Sequence, residues 1–235
     1  MEAIILAGGL GTRLQKVLPD LPKPMAPIQG RPFLEFVLTH LSINGFQHVI
    51  LSLGYRAEKI KDFFGAYFLG MKLSYVIEDS PLGTGGGIRL AVQKSVENHV
   101  YVFNGDTFLD LDFCRIEKLW QSSKIPTVVV RPVQDSSRYG KITVEDGRIT
   151  GFIEKGVPGP GFMNAGCYIL PQGAIDVFVP GEPFSFELDY LAKEVARGSV
   201  GYCLEHGYFI DIGVPEDYER AKFELPKLFG CMSKS

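Results

Sequence analysis

The sequence lacks the features that mark several broad classes of protein. It has no excess of basic residues, because 24 lysines and arginines are balanced by 27 aspartates and glutamates, for a net charge of −3. Such a chain has no extended positive surface for a nucleic-acid backbone, so we expect no nucleic-acid partner. Its 235 residues are 46% hydrophobic, which excludes extensive disorder. We predict a single domain over residues 1–230 and a frayed tail over residues 231–235.

Cysteine pairs and long apolar runs are also missing. The four cysteines, Cys114, Cys167, Cys203 and Cys231, form no CxxC pair, a pattern that favours reduced thiols over a disulfide framework or a zinc site. No apolar run approaches the roughly 20 residues that cross a bilayer. Residues 1–7 have neither the positive start nor the apolar length of a secretory signal. We therefore expect a cytoplasmic protein that makes no membrane contact.

The first half of the chain alternates short apolar runs with helical patterns, which predicts βαβ units. The run at residues 3–7 is continuously apolar, as in a central strand covered by helices on both faces. We expect an α/β fold with a mixed, mostly parallel central sheet. The predicted strands are residues 3–7, 49–53, 73–77 and 100–103, and the predicted helices are residues 33–44, 58–64 and 88–94.

After residue 125 the pattern changes to paired strands and two further helices. Residues 141–144 and 148–153 flank an Asp-Gly pair, which predicts a hairpin. Apolar residues at helical spacing, Leu188 among them, predict a helix over residues 186–197. Another helix should open with Pro215 in its first turn. The second half is therefore α+β in character.

A glycine-rich turn follows the first predicted strand. Gly8, Gly9 and Gly11 let backbone N–H groups approach an anion, and Arg13, after Thr12, adds a charged fork that matches phosphoryl oxygens. The turn is not a dinucleotide fingerprint, because the third glycine of that motif is missing. It is not a P-loop either, because the sequence Gly-Lys-Ser/Thr is missing. The glycines alone fit a plain tight turn equally well, but the arginine favours a phosphate cradle.

Lys23 is the second candidate cation. Pro22 and Pro24 stiffen the backbone around it, which would pre-position its ammonium group near the glycine-rich turn. A surface lysine between turn prolines is the ordinary alternative, and we would prefer it if the motif stood alone.

Two aspartates are candidates for a metal site. Asp106 follows the apolar run at residues 100–103, so it should lie at the carboxyl edge of the sheet, where ligands bind in open α/β folds. Asp211 lies in a short apolar run, where an acid needs a neutralising partner. Mg²⁺ takes one or two carboxylates together with phosphate oxygens and water. Each aspartate could instead cap a helix or satisfy a turn.

A competing motif lies close to Asp106. The triplet Asp110-Leu111-Asp112 has the form of the Asp-x-Asp metal motif of glycosyltransferases that use nucleotide sugars. Asp112 more simply caps a helix that runs through Ile116 and Trp120. The glycine-arginine turn discriminates between the two classes, because those glycosyltransferases bind an intact nucleotide sugar and need no triphosphate cradle.

Together these motifs resemble the signature of sugar-phosphate nucleotidyltransferases, which join a nucleoside triphosphate to a sugar 1-phosphate. In its overall sequence pattern the chain is most similar to the guanylyltransferases acting on D-glycero-α-D-manno-heptose 1-phosphate. The resemblance implies a Rossmann-like nucleotidyltransferase fold with an added β-rich sugar-binding part. It implies GTP and a sugar 1-phosphate as partners and Mg²⁺ as cofactor. The product would be GDP-heptose for the synthesis of surface polysaccharide. A homodimer is also compatible with the resemblance. The motifs concerned are residues 8–14, 22–25, 81–86, 104–106, 154–155, 164–166 and 211–213.

The resemblance also implies roles for individual residues. Arg13, Lys23 and Asp106 would be catalytic, and Asp106 and Asp211 would bind the metal. The nucleotide would contact Leu6, Ala7, Gly8, Gly9, Gly11, Thr12, Glu78, Pro81, Gly83 and Thr84. The sugar phosphate would contact Gly140, Glu154, Lys155, Asn164 and Glu187.

The sequence indicates the choice of base and of sugar less specifically than it indicates the type of reaction. Glu78 stands where thymidylyl relatives carry glutamine, and a carboxylate accepts hydrogen bonds from the N–H donors of guanine, which favours GTP. The glycines of residues 83–86 would let a flat base lie against the backbone. Glu78 could instead be a solvated strand end. The alternatives are a mannose 1-phosphate guanylyltransferase, a uridylyl- or thymidylyltransferase on another sugar 1-phosphate, or a nucleotide-binding regulatory protein without turnover.

Overall fold

One mixed ten-stranded sheet forms the centre of the protein, for which the computed structural model describes residues 1–9, 20–153 and 156–232. The strands are β1 (Glu2–Ala7), β2 (Pro27–Ile28), β3 (Arg31–Pro32), β4 (His48–Leu53), β5 (Tyr67–Phe68), β6 (Met71–Ile77), β7 (His99–Asn104), β8 (Thr107–Leu109), β9 (Thr127–Val133), β10 (Lys141–Glu145), β11 (Arg148–Ile153), β12 (Gly161–Pro171), β13 (Gly201–Leu204) and β14 (Phe209–Asp211). The α-helices are α1 (Phe33–Ile43), α2 (Ala57–Phe64), α3 (Gly83–Ala91), α4 (Phe113–Ser123), α5 (Ala192–Ala196) and α6 (Pro215–Met232). The large sheet has the order β10-β11-β13-β9-β12-β7-β1-β4-β6-β5.

Strand β1 is the centre of a parallel group. It pairs with β4 on one side and β7 on the other, and β6 follows β4. Ala3 and Ile5 contribute to a core shared with α1, α2, α4 and α6, whereas Ile4 contributes to a second core shared with α3. The central strand covered on both faces is therefore confirmed.

The other half of the sheet is largely antiparallel. Strand β12 lies between β7 and β9 and is antiparallel to both, while β13 is parallel to β9. Strands β10 and β11 form the predicted hairpin, with φ of 46° at Asp146 and 77° at Gly147 as an Asp-Gly turn favours. The mixed sheet is confirmed, but the expectation that it is mostly parallel is wrong, because among the described strands parallel pairing occurs only in the β1 group and in the β9–β13 pair. Short connections such as the one between β10 and β11 can join antiparallel strands only.

Helix α3 begins earlier than its apolar pattern predicts. The predicted helix started at Ile88, whereas α3 starts five residues earlier at Gly83. Glycines are poor helix formers, but a Cβ on Gly85 would overlap the ring of Phe184. The N–H of Gly85 also donates to the carbonyl of Phe184 at 3.0 Å. Close contact with this segment therefore outweighs the low propensity.

The helix predicted over residues 186–197 contains two geometries. Phe186–Leu191 form a π-helix, and α5 follows directly. Leu188, which was predicted on the apolar face, is 74% exposed. A π-helical turn contains more residues than an α-helical turn, so the spacing of 3.6 residues no longer returns Leu188 to the buried face. The prediction for Leu188 is wrong for this reason.

Helix α6 opens with Pro215, as predicted, and carries Glu216 and Asp217 in its first turn, where they complement the helix dipole. Its backbone is helical through Met232, beyond the predicted boundary at residue 230. Within the described ranges, no helix has both the length and the apolar composition to cross a bilayer.

Glu2 is the first residue of the central strand β1, at the end of the sheet opposite the carboxyl ends of the parallel strands. Its buried carboxylate accepts hydrogen bonds from His48 Nδ1 at 2.7 Å, from the Ser95 hydroxyl, and from the N–H groups of Val96 and Glu97 at 2.8 and 3.0 Å. Burial opposes ionisation, but these hydrogen bonds outweigh it and lower the pKa of Glu2. The ionised carboxylate is therefore part of the folded state.

Replacing Glu2 with glutamine should lower Tm near neutral pH by roughly 4–8 °C, about 2 kcal/mol, because charge-assisted hydrogen bonds are lost. The folded pKa lies below the unfolded value, so this stabilisation is present above the ordinary glutamate pKa and is lost as the pH falls through the lowered value. Thermal unfolding over a pH series measures the difference. Equal Tm values at neutral pH would contradict the assignment.

Candidate active site

A cleft of about 740 Å³ opens at the carboxyl ends of β1, β4 and β7, the edge where open α/β sheets bind ligands. All the predicted nucleotide-binding residues within the described ranges line it, together with several of the other predicted site residues. The lining includes Leu6, Ala7, Gly8, Gly9, Glu78, Pro81, Gly83 and Thr84, with Lys23, Asp106 and Glu187. The predicted residues Gly11, Thr12, Arg13, Glu154 and Lys155 lie outside the described residues.

The two predicted metal-binding aspartates lie side by side, although they are far apart in the chain. Asp106 is in the turn between β7 and β8, and Asp211 ends β14. Strands β8 and β14 are antiparallel, with Thr107 opposite Asp211. The N–H of Ile212 donates to the carbonyl of Asp106 at 2.9 Å. This short ladder fixes both carboxylates at one place beside the cleft.

Lys23 completes the group. Its ammonium donates to Asp106 Oδ2 at 2.5 Å. The three side chains surround Gly213, where a Cβ would lie 2.6 Å from Lys23 Nζ, 2.7 Å from Asp211 Oδ1 and 3.4 Å from Asp106 Oδ2. The lysine belongs to a 3₁₀ turn, Lys23–Met25, which follows a proline and is anchored by its two buried residues. One cation and two acids therefore share a small volume, and Gly213 leaves it open.

Asp211 carries a charge that its surroundings do not favour. Burial and the charge of Asp106 raise its pKa, although the N–H of Gly213 donates to its Oδ1 at 2.7 Å and Lys23 lies nearby. A divalent cation between the two carboxylates would relieve this repulsion. The carboxylates of Asp106 and Asp211 are therefore suitable ligands for such a cation. Among the described residues, no three His, Cys, Asp or Glu side chains form a metal-binding cluster. A cation held here would take its other ligands from phosphate oxygens and water, as Mg²⁺ commonly does.

The same fold and motifs occur in a known protein family. A family model described as Nucleotidyl transferase matches residues 2–227. The chain belongs to this family. Its α/β nucleotidyltransferase fold, with a mixed sheet, is confirmed by that match and by the solved structure described next.

This nucleotidyl transferase has close relatives with assigned names. It is 42% identical over 226 residues to the D-glycero-alpha-D-manno-heptose 1-phosphate guanylyltransferase of Aneurinibacillus thermoaerophilus, covering 96% of this chain and 98% of that protein. It is 44% identical over 219 residues to the protein of the same name from Campylobacter jejuni, covering 93% and 97%. The crystal structure of HddC from Yersinia pseudotuberculosis complexed with GMP-PN matches with a TM-score of 0.84 and 40% identity over 94% and 97% of the two chains.

The predicted sugar-binding residues of this nucleotidyl transferase are only partly brought together. Glu187 lines the cleft and accepts hydrogen bonds from Thr84 Oγ1 at 2.7 Å and from the Tyr168 hydroxyl at 3.3 Å. Asn164 does not line the cleft, but its amide donates to the Tyr168 hydroxyl at 2.9 Å. Gly140, with φ of 77°, precedes β10 and also lies outside the cleft lining.

The glycines after β6 do not all serve the predicted purpose. A Cβ on Gly86 would lie 2.9 Å from the carbonyl oxygen of Glu182, and one on Gly85 would overlap Phe184. These two glycines make room for another segment of the chain and not for a base, so that part of the prediction is wrong. Gly83 and Thr84 still line the cleft.

The Asp-x-Asp triplet has a structural role at its second aspartate. Asp112 Oδ1 accepts a hydrogen bond from the N–H of Arg115 at 2.9 Å and caps α4, as predicted. Asp110 Oδ1 lies 3.9 Å from His40 Nε2. None of the three residues lines the cleft.

Seven cleft residues were not among the predicted site residues, and three of them, Gly54, Tyr55 and Asn104, lie at the ends of two parallel strands. The first two follow β4 and the third ends β7, so the rule that ligands bind at the carboxyl ends of parallel strands would have selected them. Tyr168 was also missed. It is buried in β12, and its sequence context does not distinguish it from the core residue Tyr101.

Replacing Asp211 with asparagine should raise Tm near neutral pH by roughly 2–4 °C, about 1 kcal/mol, when no metal or nucleotide is present. The folded pKa of Asp211 lies above the unfolded value, so its contribution to stability is full below the ordinary aspartate pKa and is lost as the pH rises through the raised value. Asp106, Lys23 and Arg138 are among the charged groups that act on it. Thermal unfolding across a pH series checks this; a lower Tm at neutral pH would contradict it.

Proposed function

We propose that the chain transfers GMP from GTP to D-glycero-α-D-manno-heptose 1-phosphate and releases pyrophosphate. The observation that carries the proposal is the convergence of Lys23, Asp106 and Asp211 beside a cleft at the carboxyl edge of the sheet. The ammonium of Lys23 can face a polyphosphate directly, and the two carboxylates can act on it through a divalent cation. The names of the relatives supply the substrates.

The reaction is an in-line attack by a phosphate oxygen of the sugar 1-phosphate on the α-phosphorus of GTP. A phosphomonoester has a second pKa of about 6, so it is largely dianionic at neutral pH and needs no general base. The protein has to position the two anions and to neutralise their charge. Lys23 would exchange its contact with Asp106 for one with the triphosphate.

The remaining roles are those that the family resemblance implies. Arg13 would contact the triphosphate, and Lys155 would orient the sugar phosphate. Asp106 and Asp211 would hold Mg²⁺, which supplies charge neutralisation to the reacting phosphates. Glu187, whose carboxylate is fixed by Thr84, would accept hydrogen bonds from sugar hydroxyls.

The proposal includes a cytoplasmic location, which the free and buried thiols of Cys167 and Cys203 support. The homodimer depends on the resemblance alone. Size-exclusion chromatography with light scattering determines the oligomeric state, and a monomer at micromolar concentration would remove the dimer from the proposal without affecting the activity.

The direct test is pyrophosphate release from each of GTP, ATP, UTP and dTTP with heptose, mannose or glucose 1-phosphate and Mg²⁺. We expect the highest kcat/KM for GTP with D-glycero-α-D-manno-heptose 1-phosphate. A preference for mannose 1-phosphate would favour instead the function named for a more distant relative, the Mannose-1-phosphate guanylyltransferase of Mycobacterium tuberculosis, which is 34% identical over 232 residues. No pyrophosphate from any pair would overturn the proposal and favour a glycosyltransferase or a regulatory protein.

A further inference from the structure

Glu78 is held more firmly than a solvated strand end. It follows β6 and lines the cleft. Its Oε1 accepts a hydrogen bond from the Ser52 hydroxyl at 3.2 Å, and its Oε2 accepts one from the N–H of Leu82 at 3.0 Å. One donor comes from strand β4 and the other from the residue before α3. The carboxylate is therefore fixed by two elements other than its own.

Two glycines leave the space that this carboxylate occupies. A Cβ on Gly8 would lie 2.8 Å from Glu78 Oε1, and a Cβ on Gly87 would lie 2.9 Å from the same oxygen and 3.0 Å from Ser52 Oγ. A real Cβ at either position would move the carboxylate. The position of the Glu78 carboxylate is therefore limited by Gly8 after β1, by Gly87 in α3 and by Ser52 in β4.

Ser52 is a polar residue in a strand whose six residues are all buried. It has no exposed surface, and it pairs with Leu6 in β1 and with Val76 in β6. A buried hydroxyl costs free energy unless it forms a hydrogen bond. The bond that Ser52 donates goes to Glu78, a cleft residue, so its effect reaches the ligand site.

We propose that Ser52 is a positioning residue for base selection, which fixes the Glu78 carboxylate where it accepts hydrogen bonds from the N1–H and 2-amino groups of guanine. The role rests on the proposed use of GTP. A carboxylate has about four acceptor positions, and Ser52 and Leu82 occupy two of them. The other two match the two adjacent donors on the pairing edge of guanine. A carboxylate already in place does not have to be reoriented when the base binds.

The test compares GTP with ITP, whose base lacks the 2-amino group. Wild type should prefer GTP in kcat/KM. Ser52→Ala should reduce the GTP/ITP ratio by about tenfold, mainly through a higher KM for GTP with kcat within about twofold, as expected for a misplaced hydrogen bond to a charged group. Gly87→Ala should have the same effect by a separate route, because its Cβ displaces the carboxylate.

Two controls separate positioning from general damage. Ser74→Ala removes a hydroxyl from the neighbouring strand β6, where it contacts His48 and does not line the cleft, and should leave the ratio unchanged. In a Glu78→Gln background, Ser52→Ala should have no further effect on the ratio, because Ser52 acts through the carboxylate. Thermal unfolding of each variant identifies any loss of folding.

The outcomes distinguish this role from the proposed function. If wild type uses GTP over UTP but does not discriminate against ITP, the positioning role fails and the proposed function remains. An unchanged GTP/ITP ratio in both Ser52→Ala and Gly87→Ala, or an effect of Ser52→Ala that persists without Glu78, would also overturn the role. If wild type does not use GTP, the proposed function fails, and the positioning role fails with it.

Discussion

Replacing Asp106 with asparagine should reduce kcat for pyrophosphate release by about 10³-fold, at the upper end of the loss seen when one stabilising group is removed from an active site. Asp106 contacts Lys23 and lies beside Asp211. The substitution therefore removes a negative charge that pairs with the Lys23 ammonium and also belongs to the candidate metal site. Asparagine keeps the size of the side chain, and β8 and β14 still hold the backbone in place. Steady-state kinetics at saturating GTP and sugar 1-phosphate measure the loss.

Asp112→Asn is the matched control for that prediction. Asp112 lies six residues further along the chain and caps α4, and asparagine is an equally good cap. Its kcat should stay within about twofold of wild type, as expected for a surface substitution. A large loss in Asp112→Asn with little loss in Asp106→Asn would reverse the assignment and favour the Asp-x-Asp glycosyltransferase.

Replacing Lys23 with methionine should lower kcat by about 10²-fold, because the positive charge opposite the developing negative charge is lost while the apolar stem remains. The Lys23 side chain is only 17% exposed and its turn is anchored by buried residues, so its position is set before the nucleotide binds. The effect should fall on kcat more than on the KM for the sugar 1-phosphate, since the ammonium faces the triphosphate in the proposed reaction. The same pyrophosphate assay measures it.

Lys222→Met controls for the loss of a lysine as such. Lys222 lies on α6 and pairs with Glu219 at 2.6 Å on the surface. Exposed pairs of this kind contribute about 0–1 kcal/mol, so turnover should not change. Wild-type kcat in Lys23→Met would remove the lysine from the mechanism and leave its contact with Asp106 as a structural ion pair.

The fold was predictable where local pattern and tertiary context agree. The continuous apolar run of β1 predicted a central strand, and the Asp-Gly pair at Asp146 predicted the hairpin of β10 and β11. The start of α3 at Gly83 and the exposure of Leu188 were not predictable in the same way. The first depends on contact with the distant Phe184, and the second on a π-helix that local spacing does not indicate.

The site was predictable where charged residues follow strands. Asp106 follows an apolar strand, and an acid in the apolar run around Asp211 required a partner. That the two meet through β8 and β14 is a property of the folded chain. Gly213, although part of the motif at residues 211–213, was given no role, and Ser52 was not identified. The importance of Gly213 lies in the space that it leaves, and that of Ser52 in the partner that it contacts. Neither property is visible in sequence spacing.

The central claim is that Lys23, Asp106 and Asp211 act on a single polyphosphate. Its most direct test is a titration of Mn²⁺ by electron paramagnetic resonance in the presence of a non-hydrolysable GTP analogue. We expect one nucleotide-dependent site, weakened at least about tenfold by Asp106→Asn and by Asp211→Asn, with a double substitution that adds little to either single one. Wild-type Mn²⁺ affinity in Asp211→Asn, or independent and additive effects of the two substitutions, would contradict the claim.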